Sequence, residues 1–414
     1  MPQQPNGLPA WKMFLAVMGP GLVVMLADTD VGSIITAAQS GVQWGYRLLL
    51  LQMLLVPVLF VVQELTVRLG IFTGQGHGEL IRKTFGTSWA WLSVSGLGVA
   101  TLGALVTEFS GIAAVGDLFG IPRLLSLGVT VAALLTIVLT GSYRRVERVA
   151  IGLGLFEFAF FFIAWRAHPH GAAMLGGMMH MPLNDGGYLY LVAANIGAVI
   201  MPWMIFYQQG AVVDKGLCPR DIRSERRDTA VGAVLTQGIM IVMVLVFAAT
   251  VGLSHPGAVL DTVGQMSAAL RPFVGATGAR VLLGVTMLGA ALAAALVASL
   301  AGAWGISEVF GWVHTLNERP DRRTAKFYVT YALAHVFGAV VVLYSVDLVR
   351  LVVDVEVMNA LLLPIVVGLL LALEAKALPD RYRLHGLHRA VVTVLCLVVI
   401  GFGLYMVPAT VGWT

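Results

Sequence analysis

The stretch Asp28-Thr29-Asp30-Val31-Gly32-Ser33 interrupts an apolar segment that runs from residue 12 to residue 40. An ionised carboxylate near the centre of a bilayer costs several kcal/mol unless it is paired or solvated. Gly32 alone would be explained by close helix packing, but two carboxylates spaced two residues apart would not. A helix broken at mid-membrane depth frees backbone carbonyls that can coordinate an ion. The stretch therefore predicts a broken membrane helix that binds a cation or lines a water-filled cavity.

Apolar segments of similar length recur along the whole chain. It has 414 residues, of which 58% are hydrophobic and 12% charged, and its mean hydropathy is +0.87. Segments of about 20 apolar residues span a bilayer as helices, because a helix satisfies every backbone polar group internally. We predict an all-α integral membrane protein with eleven spans, at residues 12–40, 46–69, 88–118, 122–141, 149–166, 187–213, 229–253, 279–312, 326–346, 348–373 and 388–410.

The basic residues predict the orientation of the chain. The net charge of +4 does not indicate a nucleic-acid partner, because these residues occupy short loops between apolar segments. Lys and Arg accumulate on the cytoplasmic side of membrane proteins, and a cytoplasmic N-terminus places 20 of the 26 there. We expect a location in the cell's inner (plasma) membrane, with the C-terminus extracytoplasmic. Residues 1–11 show no cleavable signal and are expected to form a cytoplasmic tail.

A second interruption lies in the sixth predicted span. Asn195 and Gly197 precede Met201-Pro202-Trp203 within an otherwise apolar run. Pro202 alone would only bend a helix, but five helices separate this interruption from the first. Interrupted helices at matching positions of two halves point to the substrate site of secondary transporters.

This spacing predicts two inverted repeats of five helices each. The first repeat is expected at residues 12–166 and the second at residues 187–373. An extracytoplasmic loop at 167–186 would join them, and a cytoplasmic loop with the eleventh span would follow at 374–414.

Several motifs around the first interruption resemble those of the NRAMP family of divalent-metal transporters. That family carries Asp-Pro-Gly-Asn in an unwound first helix, followed by Gln-Ala-Gly and Gly-Tyr. Aligning on Gly-Tyr places Asp30, rather than Asp28, on the family's metal-binding aspartate. The resemblance covers the first six spans well and the others loosely. The matching motifs are Asp30-Val31-Gly32-Ser33, Gln39-Ser40-Gly41, Gly45-Tyr46, Arg68-Leu69-Gly70-Ile71-Phe72-Thr73-Gly74, Glu79-Leu80, Glu108, Leu118-Phe119-Gly120-Ile121-Pro122 and Gly197-Ala198-Val199-Ile200-Met201-Pro202.

The resemblance implies a LeuT-like fold of two inverted five-helix repeats plus an eleventh helix. It also implies proton-coupled import of Mn²⁺ or Fe²⁺ by alternating access. The implied metal ligands are Asp30, the side chain of Ser33, the carbonyl of Ala198 and the sulfur of Met201, with Asp28 as an added carboxylate. A thioether is a soft donor that favours transition metals. Without the neighbouring motif, Met201 would be interpreted as a core methionine.

The chain departs from the family pattern at the site itself. Ser33 stands where the family has asparagine, Val31 where it has proline, and Asp28 where it usually has tyrosine. In the tenth span Glu356 replaces a common glutamine; it either joins the site or lies too near the membrane surface to matter. Hard oxygen ligands and added negative charge suit Mg²⁺ and resemble the NRAMP-related magnesium-transporter branch.

The expected proton pathway is also altered. Trp203 and Gln208 replace the family's two histidines after Met-Pro, and Leu105 replaces an aspartate in the third span. Imidazoles are the side chains best suited to move protons near neutral pH. Glu108 is the one candidate left for a proton pathway, and proton coupling is an open question. Candidate gating or supporting residues are Trp203, Glu356, Gly32 and Gln208.

Three function classes follow from these observations. The leading one is a secondary transporter of divalent metal, either of the Mn²⁺/Fe²⁺ type or a Mg²⁺ uniporter that also carries Mn²⁺. An organic-solute symporter on the same fold is a more remote alternative, since it would need a vestibule without clustered acids. An enzyme is not expected, because the spans hold no nucleophile with a base and no histidine cluster. We expect no cofactor, with the metal as substrate, and no obligate protein partner besides the lipid bilayer.

Overall fold

The structure, a computed structural model, describes residues 20–139, 143–167, 171–314 and 320–411. The predicted tail at residues 1–11 and the first residues of the first span lie outside this range. The described residues form α-helices and no β-strands. The helices are α1 Pro20–Asp28, α2 Val31–Trp44, α3 Leu49–Thr73, α4 His77–Phe85, α5 Thr87–Phe119, α6 Arg123–Val138, α7 Tyr143–Gly154, α8 Ala159–Ala167, α9 Gly171–Met178, α10 Gly186–Val199, α11 Pro202–Asp214, α12 Ile222–Phe247, α13 Val263–Phe310, α14 Ala325–Tyr344, α15 Leu348–Ala377 and α16 Gly386–Val411.

The predicted spans are helical, although the number of separate helical stretches long enough to cross a membrane differs from the eleven predicted spans. Among the described residues, 9 helical stretches are long and apolar enough to cross a membrane. One of them, Val31–Thr73, has 43 residues and would be about 65 Å long if straight, twice the thickness of the hydrocarbon core. It turns at Gly45, whose φ is +59°, and so contains the end of the first span and all of the second. The predicted fourth span is α6, whose 16 residues make it shorter than the others.

The eighth span begins earlier than predicted. Its expected start was residue 279, whereas α13 starts at Val263 after an N-cap at Thr262. A kink at Gly275, where φ is +73°, separates the two parts of this helix. The polar residues and Pro272 near the kink lower the local hydropathy. For this reason the sequence does not predict the first turns of α13 as part of a membrane helix.

Both predicted helix breaks are present. The first lies between the end of α1 at Asp28 and the start of α2 at Val31. Asp30 caps α2, because its Oδ1 accepts a hydrogen bond from the Ser33 amide at 2.7 Å. The second break lies between α10 and α11, and Pro202 occupies the first turn of α11. Proline suits that position because the amides of a first turn have no partner within the helix.

Contacts between loops show which ends of the helices lie together. The Arg68 guanidinium donates to the carbonyl of Tyr382 at 3.0 Å, which joins the second span to the loop before the eleventh. Arg226, at the start of α12, pairs with Glu64 of α3 at 3.1 Å. These segments, which the charge pattern predicts on one face of the membrane, therefore share one end of the bundle.

The opposite end is connected in the same way. The Tyr188 hydroxyl at the start of α10 donates to the carbonyl of Arg47 at 3.1 Å. Arg123, at the start of α6, donates to the carbonyl of Ser345 between α14 and α15 at 3.0 Å. The helices thus alternate in direction as the predicted spans require.

The two breaks meet at the centre of the bundle. Helix α10 packs against α2 and α15, and α2 also packs against α15. The approach of α10 to α15 is so close that a Cβ added at Gly197 would lie 1.8 Å from the carbonyl oxygen of Glu356. Only glycine permits this contact, and it holds the second break beside the tenth span.

Candidate metal site

The Ser33 hydroxyl joins the two breaks. Its oxygen lies 2.7 Å from the carbonyl oxygen of Asp28 and 3.1 Å from that of Ala198, so that it can donate to either. Ser33 follows the first break and Ala198 precedes the second. Three of the predicted ligand residues are therefore within hydrogen-bonding distance across the bundle centre.

The two aspartates of the first break are buried, and one of them lacks a hydrogen-bond partner. Asp28 is 1% exposed and Asp30 is 0% exposed. Neither carboxylate oxygen of Asp28 has a hydrogen-bond partner among the described residues, whereas Asp30 bonds to Ser33 and to the side chain of Glu108. Burying an unpaired charge is strongly unfavourable, and such groups are usually paired or coordinate a metal. The two free carboxylate oxygens of Asp28, beside the carboxyl group of Asp30, are donors of the kind that a cation requires.

Glu108, on α5, adds a third buried carboxyl group to those of Asp28 and Asp30. Its Oε2 accepts a hydrogen bond from the amide of Val31 at 3.3 Å, at the positive N-terminal end of α2. Its carboxyl group is fully buried and also shares a hydrogen bond with the carboxyl group of Asp30. The structure thus brings the predicted proton-pathway residue into contact with the helix break.

Glu356 lies at the site rather than near the membrane surface. It is fully buried, and its Oε2 accepts a hydrogen bond from the Asn359 amide group at 3.0 Å. Its Oε1 has no partner, and a Cβ added at Gly32 would lie 2.0 Å from it. The tenth span therefore supplies a further carboxylate, and Gly32 makes room for it.

The second break contributes Met201 and Trp203, both fully buried. Met201 lies in extended conformation before α11, three residues after Ala198, with φ −80° and ψ 136°. The indole nitrogen of Trp203 has no hydrogen-bond partner. Gln208 lies about 10 Å further along the axis of α11, where its amide donates to the Thr229 hydroxyl at 3.2 Å. Of the expected gating or supporting residues, Gln208 is the one distant from the breaks.

Glu157 is an acidic residue at the site that the sequence did not single out. It lies in the short 3-10 segment Leu155–Phe158 between α7 and α8, and it is fully buried. Its carboxyl group lies against the Thr29 hydroxyl, which donates a hydrogen bond to it. The available signal was one glutamate in the apolar fifth span, the kind of residue that is rarely placed there for packing alone.

The chemistry of this centre is that of a cation site with mixed donors. Carboxylates, a hydroxyl and backbone carbonyls converge, and the thioether of Met201 lies nearby in the sequence. No group of three or more His, Cys, Asp or Glu in the described chain is arranged to hold a metal by itself, so an ion would also need the hydroxyl and carbonyl oxygens. No lysine or arginine is buried in the described part of the chain. The negative charge of the centre therefore has no basic side chain to balance it.

Comparison with known proteins identifies the family of the chain. The chain matches the family model described as Nramp, natural resistance-associated macrophage protein-like, over residues 21–409. It is 25% identical over 419 residues to the divalent metal cation transporter MntH of Aeromonas hydrophila, covering 99% of this chain and 100% of that protein.

The fold is similar to those of solved transporter structures. A manganese transporter of Eremococcus coleocola superposes with a TM-score of 0.79 at 19% identity, covering 98% of this chain and 89% of that one. Mhp1, a nucleobase-cation-symport-1 family transporter, superposes with a TM-score of 0.60 at 14% identity, covering 94% and 89%. These neighbours confirm the predicted LeuT-like fold. Because the family model covers nearly the whole chain, including both helix breaks, the chain belongs to the Nramp family and is a membrane transporter rather than an enzyme.

Proposed function

We propose that this protein imports divalent metal cations by alternating access, with the ion bound between the two helix breaks. The observation that carries this proposal is the Ser33 hydroxyl, which lies within hydrogen-bonding distance of both Asp28 and Ala198. The names of the relatives, a divalent metal cation transporter and a manganese transporter, support the class of cargo. Asp30 and Ser33 would be side-chain ligands, and Ala198 would contribute its carbonyl.

Two cavities at opposite ends of the bundle support alternating access. One, of about 440 Å³, lies beside the loop after α3 and the end of α11, and its lining includes Gly76, Glu79, Asp214 and Glu308. The other, of about 470 Å³, opens at the opposite end and is lined in part by Asp261, Asp347 and Asp354. The aspartates of the break line neither cavity. An ion held there would be separated from both ends until one half of the bundle moves.

The sidedness of transport follows from the basic residues. The end with Arg68 carries most of the lysines and arginines, and we assign it to the cytoplasm. The N-terminus is then cytoplasmic, the C-terminus extracytoplasmic, and the chain a multi-pass protein of the plasma membrane. In this assignment residues 12–166 and 187–373 form the two inverted halves that move relative to each other.

The choice of ion depends on whether the thioether of Met201 or the added carboxylates contribute more to coordination. A thioether ligand favours Mn²⁺ and Fe²⁺, whereas the added carboxylates Asp28 and Glu356 favour a hard cation such as Mg²⁺. The membrane potential alone favours inward movement of a divalent cation by about 4.6 kcal/mol per 100 mV, so a uniporter needs no protons. Clustered acids without a basic partner make an organic-solute symporter the weaker alternative.

Uptake into proteoliposomes tests the proposal. We expect Mn²⁺ uptake driven by an inside-negative potential, and we expect Asp30→Ala to abolish it. Asp117→Asn is the matched control, because Asp117 is an exposed acid that pairs with Arg123 at 2.9 Å and should not affect uptake. Unchanged uptake in Asp30→Ala would show that the ion binds elsewhere.

The same vesicles distinguish the two kinds of transport. Metal uptake that acidifies the lumen would exclude a uniporter. Met201→Leu should reduce Mn²⁺ uptake more than Mg²⁺ uptake if the sulfur is a ligand, since leucine has similar size but no donor atom. Equal effects on both ions would show that the thioether does not set selectivity.

A further inference from the structure

Gln39, on α2, holds the loop that precedes α13. Its Nε2 donates to the carbonyl of Leu260 at 2.6 Å, and its Oε1 accepts from the amide of the same residue at 3.2 Å. Both residues are buried, and Gln39 is only 3% exposed. One side-chain amide thus satisfies both backbone groups of one loop residue. This contact fastens the second half of the first span to the loop between the seventh and eighth spans.

Gln209, on α11, holds the loop between α3 and α4 in the same way. Its Nε2 donates to the carbonyl of Gln75 at 2.9 Å, so that its Oε1 accepts from Nδ1 of His77 at 2.8 Å. The glutamine is fully buried. Glu308 of α13 fixes the same loop, because it accepts a hydrogen bond from the Gly78 amide at 2.8 Å. The second half of the sixth span is therefore fastened to the loop between the second and third spans.

The two contacts are related to each other as the two halves of the chain are. Each glutamine lies on the half-helix that follows a break, and each binds a loop of the other half. The loop bound by Gln39 joins the second and third helices of the second half, and the loop bound by Gln209 joins the second and third helices of the first half. Inversion of one half relative to the other places the two contacts at opposite ends of the bundle.

Both glutamines are too far from the breaks to bind the ion themselves. Gln39 lies nine residues after Asp30, about 13 Å along the axis of α2. Gln209 lies eight residues after Met201, about 12 Å along the axis of α11 in the opposite direction. The two contacts are thus found at similar distances on either side of the proposed metal site.

Each contact also adjoins one of the two cavities. Gln39 and Leu260 line the extracytoplasmic cavity. Gly76 and Gly210, the residues that follow Gln75 and Gln209, line the cytoplasmic cavity. An ion that moves from either cavity to the breaks must therefore pass one of these contacts.

We propose that Gln39 and Gln209 are a pair of latches, an outer and an inner one, and that the cation passes each end of the pathway only when the latch there is released. This inference rests on the proposed function, because it names the gates of the same site. Release of the outer latch frees α2 from the loop before α13, and release of the inner latch frees α11 from the loop before α4. With both latches closed, as in this structure, the site is occluded.

The latches open most readily into water. A buried amide that loses its partners is unfavourable until water replaces them. A latch next to a cavity can exchange its loop partners for water as that cavity widens, whereas a latch at the closed end cannot. Opening at one end therefore leaves the other end closed.

Hydrogen–deuterium exchange of the purified protein in detergent tests this inference. In Gln39→Met we expect residues 253–262 to exchange roughly tenfold faster, because two hydrogen bonds are lost. Residues 74–85 should exchange more slowly than in the wild type, because the form open to the cytoplasm loses population. Gln209→Met should give the reverse pattern. Faster exchange at both ends, or a change confined to the altered end, would overturn the inference.

Two further variants separate gating from a loss of folding. Gln39→Asn keeps the amide but withdraws it by one methylene group, so that it cannot reach both backbone groups of Leu260. It should shift exchange in the same direction as Gln39→Met, and wild-type exchange at both ends would contradict the outer latch. Gln237→Met is the matched control, because Gln237 is equally buried in α12 and lines neither cavity. It should exchange like the wild type at both ends.

Asp30→Ala distinguishes failure of this inference from failure of the proposed function. If Asp30→Ala abolishes Mn²⁺ uptake but the latch variants do not change exchange in opposite directions, the latches fail and the proposed function stands. If Asp30→Ala transports normally while the latch variants give the two opposite patterns, the proposed metal site fails and the latches stand.

Discussion

Glu356 and Gly32 are in direct contact at the centre of the bundle, where a Cβ on Gly32 would lie 2.0 Å from Oε1 of the glutamate. Gly32 is the second residue of α2, directly after the first break, and Glu356 lies in the third turn of α15. The Glu356 carboxylate occupies the space that a side chain at position 32 would need. The tenth span can therefore reach the proposed metal site only because the first span carries glycine at this position.

Gly32→Ala should destabilise the protein and abolish metal uptake. The added methyl group would displace the Glu356 carboxylate or separate α2 from α15, and overpacking of this kind costs about 1–3 kcal/mol. Thermal unfolding in detergent and Mn²⁺ uptake are the measurements. Gly98→Ala is the control, because a Cβ there meets no atom within 4 Å. A Gly32→Ala protein as stable and active as Gly98→Ala would contradict the contact.

Ser33→Ala should weaken metal binding without preventing folding. The substitution removes the hydroxyl that joins the two breaks, and a hydrogen bond of this kind contributes about 1 kcal/mol. The KM for Mn²⁺ uptake should rise roughly five- to tenfold. Ser110→Ala serves as the control, since Ser110 is equally buried but bonds only to Val106 of its own helix at 2.7 Å. Equal KM values for the two variants would show that Ser33 is not a ligand.

Asn195→Ala should lower the stability of the protein. The Asn195 side chain accepts a hydrogen bond from Gln52 at 2.5 Å and donates to Ser40 at 2.8 Å, which connects the first, second and sixth spans. Truncation leaves the Gln52 amide buried without a partner, at a cost of about 1–3 kcal/mol. The unfolding temperature in detergent measures this loss. Gln43→Ala, at a half-buried position one turn after Gln39, should leave it unchanged.

Acidification should destabilise the protein through His77 at the start of α4, outside the membrane spans. Burial lowers the pKa of His77 to about 4, although its Nδ1 lies 2.8 Å from Oε1 of Gln209. An unfolded histidine has a pKa near 6.5, so below that pH the unfolded state takes up a proton that the folded state does not. Stability is thus complete above pH 6.5 and falls as the pH approaches 4, by about 3 kcal/mol in all.

Unfolding temperatures at pH 7.5 and pH 5 measure this dependence. His77→Gln should reduce the difference between the two values, because glutamine does not titrate. His180→Gln removes an exposed histidine and is the control. A pH dependence that survives unchanged in His77→Gln would assign the effect to other groups.

The sequence predicted the parts of this protein that depend on local chemistry. Polar and charged residues inside apolar runs located both helix breaks, which the structure places after Asp28 and after Val199. Hydropathy predicted most helix ends to within a few residues, but α7, α12 and α13 begin well before the predicted starts of the fifth, seventh and eighth spans at residues 149, 229 and 279. The family motifs indicated Asp30 and Ser33, and the structure brings them together with Ala198.

The depth of Glu356 in the membrane could not be derived from the sequence of α15 alone. A glutamate near a span end is either exposed or buried according to how the helix packs, and neighbouring Asp354 is indeed exposed. The position of the Glu157 side chain could not be predicted from the sequence either, because its orientation toward Thr29 depends on the packing of α7 against α1.

The membrane class and the two helix breaks were therefore determined by the sequence itself, and the family motifs indicated Asp30 as the main candidate ligand. These features follow from the cost of placing a charge or an unsatisfied backbone group in hydrocarbon, and that cost can be evaluated residue by residue. Only the tertiary structure decided which acids share the centre with Asp30. Glu356 reaches Gly32 and Glu157 reaches Thr29 through contacts between distant segments, and those contacts depend on side-chain volume and helix packing, as the close fit of Gly32 against Glu356 demonstrates.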